Sequence, residues 1–287
     1  MKHHRREGDI RMKTALITGA AGGMGRATAE LLLRAGWAVW GLDLREPASL
    51  PGLRFLQADL SDPASVEAAA ETLRAEGVRL NAVVHLAGLY NLDSLVELDE
   101  VAWDRIFQVN LYGPWRVNRA LLPLLAPEAR IVITTSELAP LDPLPFTGLY
   151  AVTKAAMDKY AAALRMELQL LGHRVVVLRP GAVDTGLLNV STERLRAFCE
   201  HTAHYAPNAA RFRRIVDRVE ARKVPPERVA ELVLWILTCQ SPKAVYSINR
   251  NPLLLLMNAL PTRLQCGIIR QILKAPKASK TEGDTAP

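Results

Sequence analysis

Cysteine is scarce in this 287-residue chain, and what there is cannot form a framework. Cys199, Cys239 and Cys266 lie far apart, show no C-x-x-C spacing and make an odd count. That pattern excludes a disulfide scaffold and points to a reduced setting. Long hydrophobic runs are missing too: nowhere do about 18 apolar residues follow one another, the length a membrane-spanning helix needs. The basic stretch 1–13 holds no apolar segment of signal-peptide length, so a soluble, cytoplasmic protein is expected. No Pro-, Gly- or Ser-rich linker divides the chain and no internal repeat is visible, which favours one domain with tails. A basic stripe on a folded face is absent as well. The formal charge is +7, but Lys2, Arg5, Arg6, Arg11 and Lys13 at one end, and Arg263, Arg270, Lys274, Lys277 and Lys280 at the other, hold nearly all the excess. No nucleic-acid partner is expected.

What is present is an ordinary globular composition, 49% apolar and 23% charged, arranged as short β-branched or apolar runs alternating with helical patterns. Strands are predicted at 14–18, 38–43, 54–57, 82–86, 130–135, 174–178 and 244–248, and helices at 26–35, 101–125, 149–171 and 226–239. Gly36 and Gly172 are plausible helix stops, and Pro225 and Pro226 mark a start. Most of the strands are continuously apolar, as strands covered on both faces are. The fold class that follows is α/β: a doubly wound, parallel, seven-stranded sheet in three layers.

Directly after the first predicted strand comes Thr18-Gly19-Ala20-Ala21-Gly22-Gly23-Met24-Gly25, leading into a helix. Helix N-terminal amides carry unsatisfied donors and partial positive charge, and missing side chains let a pyrophosphate approach them. Glycine in such a turn also serves the backbone alone, by reaching positive φ. The second strand, however, ends in Asp43, about 20 residues on, where a carboxylate can accept from the ribose hydroxyls of a dinucleotide. A carboxylate there repels a 2′-phosphate, and no Arg or Lys precedes Gly23 in the loop. NAD is therefore expected over NADP, with Arg45 as the counter-argument if Asp43 turned away. Tyr150 and Lys154 stand four apart on a predicted helix, so an ammonium can lie beside a phenol and draw its pKa toward neutrality.

The order of these motifs resembles the short-chain dehydrogenase/reductase family over about 14–248. Thr18 to Gly25 looks like its dinucleotide loop, and Asp59-Leu60 is similar to its adenine-contacting pair. His85-Leu86-Ala87-Gly88 stands where the family usually has Asn-Asn-Ala-Gly. Asn110, Ser136 and Tyr150-x-x-x-Lys154 match its catalytic set, and Arg179-Pro180-Gly181 with Val183 and Thr185 is similar to its nicotinamide-holding motif. The resemblance implies a Rossmann fold and an oxidoreductase interconverting a secondary alcohol and a ketone. Its cofactor contacts fall on Gly19, Gly23, Met24, Gly25, Asp43, Asp59, Leu60, Ala87, Gly88, Asn110, Tyr150, Lys154, Pro180, Gly181, Val183 and Thr185. It also implies that Asn110 holds a water linking Lys154 to solvent, that Lys154 binds the nicotinamide ribose, and that the protein is a homodimer or homotetramer. By itself, a Tyr and Lys pair at this spacing is more often an exposed helix pair. His85 reads as a packed strand-end residue. Pro140, Pro143 and Pro145 form a rigid segment able to re-aim Ser136, and Glu137 is placed to enter the pocket.

The resulting division is a basic tail at 1–12, a catalytic domain at 13–250 with a lid at about 186–224, an apolar helical extension at 251–274 and a disordered tail at 275–287. Leu187, Leu188, Leu195, Phe198 and Tyr205 in the lid either line a hydrophobic substrate site or pack on the core. The extension resembles that of hydroxysteroid- and retinol-dehydrogenase-like members. Its apolar residues either pack on the core or, flanked by Arg263, Arg270 and Lys274, touch a membrane surface. A steroid-, retinoid- or lipid-like substrate is expected, with a 3-oxoacyl thioester reductase and a non-catalytic dinucleotide sensor as the alternatives.

Overall fold

The computed structural model describes residues 12–220 and 222–274, with the side chains of all of these except 187–192 and 219–220. The predicted tails, save Met12, and the side chains of Leu187 and Leu188 lie outside the described residues. Seven parallel strands, β1 (Thr14–Thr18), β2 (Ala38–Asp43), β3 (Leu53–Gln57), β4 (Leu80–His85), β5 (Leu125–Thr134), β6 (Arg174–Pro180) and β7 (Val245–Ile248), form one sheet in the order β3-β2-β1-β4-β5-β6-β7. The order reverses direction between β1 and β4, which opens a crevice beyond their carboxyl ends.

Side chains alternate across a strand, and here both faces are apolar. Leu16, Val83, Ile131 and Val175 enter one core; their neighbours Ile17, Val84, Val132 and Val176 enter a second on the opposite face. The first core is covered by α2 (Pro63–Ala75), α4 (Gly113–Leu121) and α5 (Gly148–Leu168), the second by α1 (Gly23–Arg34) and α8 (Pro226–Thr238). Each buried Leu, Ile or Val side chain contributes about 1.5–3 kcal/mol to the three-layer arrangement.

Three local features differ from the sequence-based expectations. The predicted helix 101–125 is broken into α3 (Glu100–Phe107), a π-helical segment Gln108–Tyr112 and α4, closed by a 3-10 turn Leu122–Leu124. Strand β5 starts at Leu125 rather than at 130, with an irregular register against β4 between Leu80 and Ala82 and a positive φ at Glu128. Helix α2 was not among the predicted helices. Its buried face is Val66, Ala69, Ala70 and Leu73, half of it alanine and so of weak periodic contrast, yet Asp62 caps it by accepting from Ala64 N and Pro63 opens it.

Beyond the sheet lie α6 (Gly186–His201), α7 (Ala206–Glu220), α9 (Pro252–Asn258) and α10 (Thr262–Leu273). Leu195, Phe198, Phe212 and Val216 from the lid region, with Leu273 from α10, build a third apolar cluster. Phe146 lies at its centre, 4.9 Å from Phe198 and 5.4 Å from both Tyr205 and Phe212, ring to ring. Leu195 and Phe198 are therefore packing residues, and the extension is tied down where Asn208 Nδ2 donates to the Leu273 carbonyl at 2.7 Å.

Candidate active site

The glycine loop joins β1 to α1 at the crevice. Gly19 has φ +76 and donates its N–H to the Leu42 carbonyl at 2.8 Å; a Cβ there would stand 2.6 Å from Ala87 N. A Cβ on Gly25 would collide with the Gly19 carbonyl, and one on Gly23 would reach within 2.9 Å of Thr185 Cγ2. Only glycine permits this closeness. No side chain caps α1 and no acid lies in its first turn, which leaves its amides open to an anion. At the end of β2, Asp43 Oδ2 accepts from Ala21 N at 2.9 Å and Oδ1 from Arg45 N at 3.1 Å, so its carboxylate is held against the loop rather than turned away.

Ala87, Gly88, Pro180 and Gly181 come to one cavity with Met24, Val183 and Thr185, opposite Ser136, Tyr150 and Lys154. Asp59 and Leu60 do not line it. Asp59 Oδ1 accepts from the Ser61 N–H at 2.8 Å and hydroxyl at 2.6 Å, and Leu60 is a buried core residue whose carbonyl accepts from Arg116 Nη1 at 3.0 Å.

On α5, Lys154 is buried and its Nζ lies 5.6 Å from the centre of the Tyr150 ring. The ammonium donates to the Thr134 carbonyl at 3.1 Å and has no carboxylate partner among the described residues. Burial pulls its pKa down to about 8. The same cause pushes the Tyr150 phenol up to about 12, against the pull of the nearby Ser136 hydroxyl and reinforced by the charge of Glu137. The expected lowering of the phenol by Lys154 is not found; desolvation sets the direction. Tyr90 packs edge-on against Tyr150, ring centres 4.5 Å apart.

Ser136 is set just beyond β5. Its Oγ accepts from Leu138 N at 3.2 Å, and the hydroxyl is within hydrogen-bond reach of the Tyr150 phenol. Asn110 sits in the π-helical turn, where the widened backbone aims its amide at Leu89: Oδ1 accepts from Leu89 N at 2.7 Å, and Nδ2 donates to Leu89 O at 2.9 Å and Thr153 Oγ1 at 3.1 Å. The side chain thus holds the loop after Gly88. His85 is packed under the sheet end, with Nε2 2.9 Å from Asn118 Oδ1 and burial pulling its pKa down to about 4.

Several lining residues were not anticipated. Thr134 Oγ1 is buried with no hydrogen-bond partner among the described residues, and its position at the end of β5 was the only sequence signal. Phe212, Ile215 and Val216 of α7 and Leu254 of α9 form the apolar wall, and among the described lid residues named from the sequence Leu195, Phe198 and Tyr205 do not line it. Cavities with few polar groups on an apolar wall suit small organic ligands. The glycine cradle, the held Asp43 and a Lys154 ammonium with no carboxylate partner among the described residues fit a dinucleotide.

Comparison with known proteins agrees with this geometry. The family described as short chain dehydrogenase matches residues 13–196. A 3-ketodihydrosphingosine reductase of Bacteroides thetaiotaomicron is 25% identical over 79% of this chain and 84% of its own length. Estradiol 17-beta-dehydrogenase 2 of Mus musculus is 30% identical over 62% of this chain, which spans only 50% of that protein. Among solved structures, a 3-ketoacyl-(acyl-carrier-protein) reductase from Brucella melitensis, complexed with NADH, is 25% identical with a TM-score of 0.65, covering 82% of this chain and 95% of its own.

Proposed function

Because the chain belongs to the short chain dehydrogenase family, whose members are NAD(P)-binding oxidoreductases acting on CH–OH groups, we propose that it interconverts a hydrophobic ketone and its secondary alcohol using NAD. The observation that carries this reading is the convergence of Ser136, Tyr150 and Lys154 on one apolar-walled cavity that opens onto the glycine loop. A dinucleotide held by its diphosphate at that loop would supply or take the hydride through its nicotinamide.

Tyr150 holds its proton at neutral pH, its pKa lying near about 12, and delivers it to the carbonyl oxygen as negative charge develops there. Ser136 donates a hydrogen bond to the same oxygen. Lys154, charged below about pH 8, holds the nicotinamide ribose and restores the positive field at the phenol. Asn110 keeps the Gly88–Leu89 backbone in place against Lys154. Gly19, Gly23 and Gly25 would admit the diphosphate, Asp43 would take the adenosine ribose, and Asp59 and Leu60 would border the adenine.

The choice of NAD rests on Asp43, whose two oxygens are fixed by Ala21 N and Arg45 N, and is supported by the NADH in the Brucella melitensis relative. A lipid-like substrate is supported by the wall of Leu138, Leu144, Phe212, Ile215, Val216 and Leu254. Helix α9, which lends Leu254 to the cavity, exposes Leu253 and Leu256, and α10 exposes Leu264, Ile268 and Ile272 beside Arg263 and Arg270. An apolar stripe with basic flanks suits the surface of an anionic membrane. Exposed Trp115 on α4 and Trp235 on α8 support a homodimer or homotetramer.

The test is an NADH- and NADPH-oxidation screen over steroid, retinoid and long-chain ketones, short ketones and 3-oxoacyl thioesters. Hydrophobic ketones should turn over, with kcat/KM at least about tenfold higher for NADH, an energy difference of about 1.4 kcal/mol. Preference for NADPH, or for short polar ketones, would overturn the reading.

A further inference from the structure

Asp158 and Arg179 form an ion pair that the reaction proposed above does not use. Asp158 stands on α5, one helical turn after Lys154 and two after Tyr150, so the three lie along one side of the helix. Arg179 is on β6, directly before Pro180 and Gly181. Its guanidinium meets the carboxylate with two prongs: Nε donates to Oδ1 at 2.9 Å and Nη2 to Oδ2 at 2.6 Å. A third donor comes from the end of β5, where the Thr135 hydroxyl donates to Oδ1 at 3.3 Å. Thr135 is buried and directly precedes Ser136. Neither Asp158 nor Arg179 is among the residues that line the cavity.

The backbone on both sides of Ser136 follows β6. Thr135 N donates to the Leu178 carbonyl at 2.8 Å and Glu137 N to the Pro180 carbonyl at 2.9 Å, one on each side of Arg179. Ser136 is therefore tied to the end of β6, and Asp158 ties that end to α5. Another bond joins the same helix to the start of the strand, where Arg165 Nε donates to the Val175 carbonyl at 2.8 Å. Attachment at both ends of β6 limits how far α5 can slide along it, and so sets Tyr150 and Lys154 in height against Ser136. A two-pronged guanidinium–carboxylate bond is directional as well as strong. With side chains 18% and 23% exposed, the pair is partly shielded from solvent ions.

Resting on the ketone-reductase reading, we propose that Asp158 is a positioning residue: through Thr135 and Arg179 its carboxylate holds the Ser136 hydroxyl and the Pro180–Gly181 edge of the cavity in register with Tyr150 and Lys154. It lies outside the cavity and acts only through these neighbours. Its effect falls on the chemical step, because misplacing a reacting group by about 1 Å costs about a hundredfold in rate.

Asp158→Asn, Arg179→Gln and the double variant are compared with the native protein in NADH oxidation on one hydrophobic ketone. NADH binding is read by fluorescence and the thermal midpoint by calorimetry, with turnover measured well below the lowest midpoint. Each single variant should lower kcat by about tenfold or more, with KM and NADH affinity kept within about threefold. The double variant, which leaves no charge unpaired, should lose no more than the worse single variant, since the two residues act as a unit. If an unpaired charge unfolds the single variants, the double variant decides alone: the same tenfold loss of kcat supports the assignment, and native kcat overturns it. A pair that only supports the fold would lower the midpoint and leave kcat as it is. Native kcat in folded single variants, or losses that multiply in the double variant, would overturn the assignment while the reductase reading stands. A native protein that oxidises NADH with no ketone would overturn the reductase reading and this assignment with it.

Discussion

At the scale of single residues the site is governed by desolvation. The sequence shows Tyr150 and Lys154 one helical turn apart, and from that spacing their proximity was legible; how much water each would lose was not. Spacing on a helix gives direction, whereas a pKa depends on what the rest of the chain folds over the group. Lys154 is held at about 8 instead of the usual 10.5. Its folded pKa is depressed, so the cost of burying the ammonium is fully present below about pH 8 and is relieved as pH rises from there toward 10.5. That cost is about 3 kcal/mol at neutral pH. Lys154→Met should therefore raise the thermal midpoint of the nucleotide-free protein by a few degrees at pH 7 while turnover is lost. A lowered midpoint, measured by calorimetry, would show that the bond to the Thr134 carbonyl matters more than the burial.

At the scale of elements, what repeats was readable and what interrupts was not. Apolar runs such as Ala82-Val83-Val84 and Val175-Val176-Val177 announced buried parallel strands, and the strands found run close to the predicted ones, apart from the early start of β5 at Leu125. Helix α2 escaped because Ala69 and Ala70 give its buried face little contrast, although Asp62 and Pro63 marked its start. The π-helical turn escaped because its five residues hold too few apolar positions for a phase shift to be read from the sequence, yet it carries the Asn110 that binds Leu89. His85, at the end of β4, was read as packed, and its surroundings leave Nδ1 without a partner among the described residues. Its pKa is held near about 4 against the usual 6.5. Between these values the unfolded chain binds the proton and the folded one does not, so stability falls as pH drops from 6.5 to about 4. His85→Gln, which can still reach Asn118, should flatten the fall in thermal midpoint between pH 6.5 and 4.5. Parallel curves for the two proteins would mean that other groups cause it.

At the scale of the whole molecule, the sheet, the crevice and the extension act together. The catalytic sheet was legible because strand, glycine loop and helix are local patterns; the partition of the lid was not, because Leu195 and Phe198 share a cluster with Phe146, about 50 residues away in sequence. The extension likewise divides its apolar residues, Leu273 inward and Leu264, Ile268 and Ile272 outward. Co-sedimentation with vesicles containing about one-third anionic lipid should recover the protein at low salt, and replacing Leu264 and Ile268 with Ser should abolish that recovery. Sedimentation unchanged by those substitutions would remove the lipid surface as the partner of this face. The central claim is that the Tyr150 hydroxyl carries the proton of a nicotinamide-dependent carbonyl reduction. Its most direct test is a single-turnover measurement of NADH oxidation on a hydrophobic ketone by Tyr150→Phe, paired with NADH binding read by fluorescence. Binding within about threefold of the native protein with the rate lowered by about a hundredfold or more is the predicted result. Undiminished turnover in that variant would contradict the account.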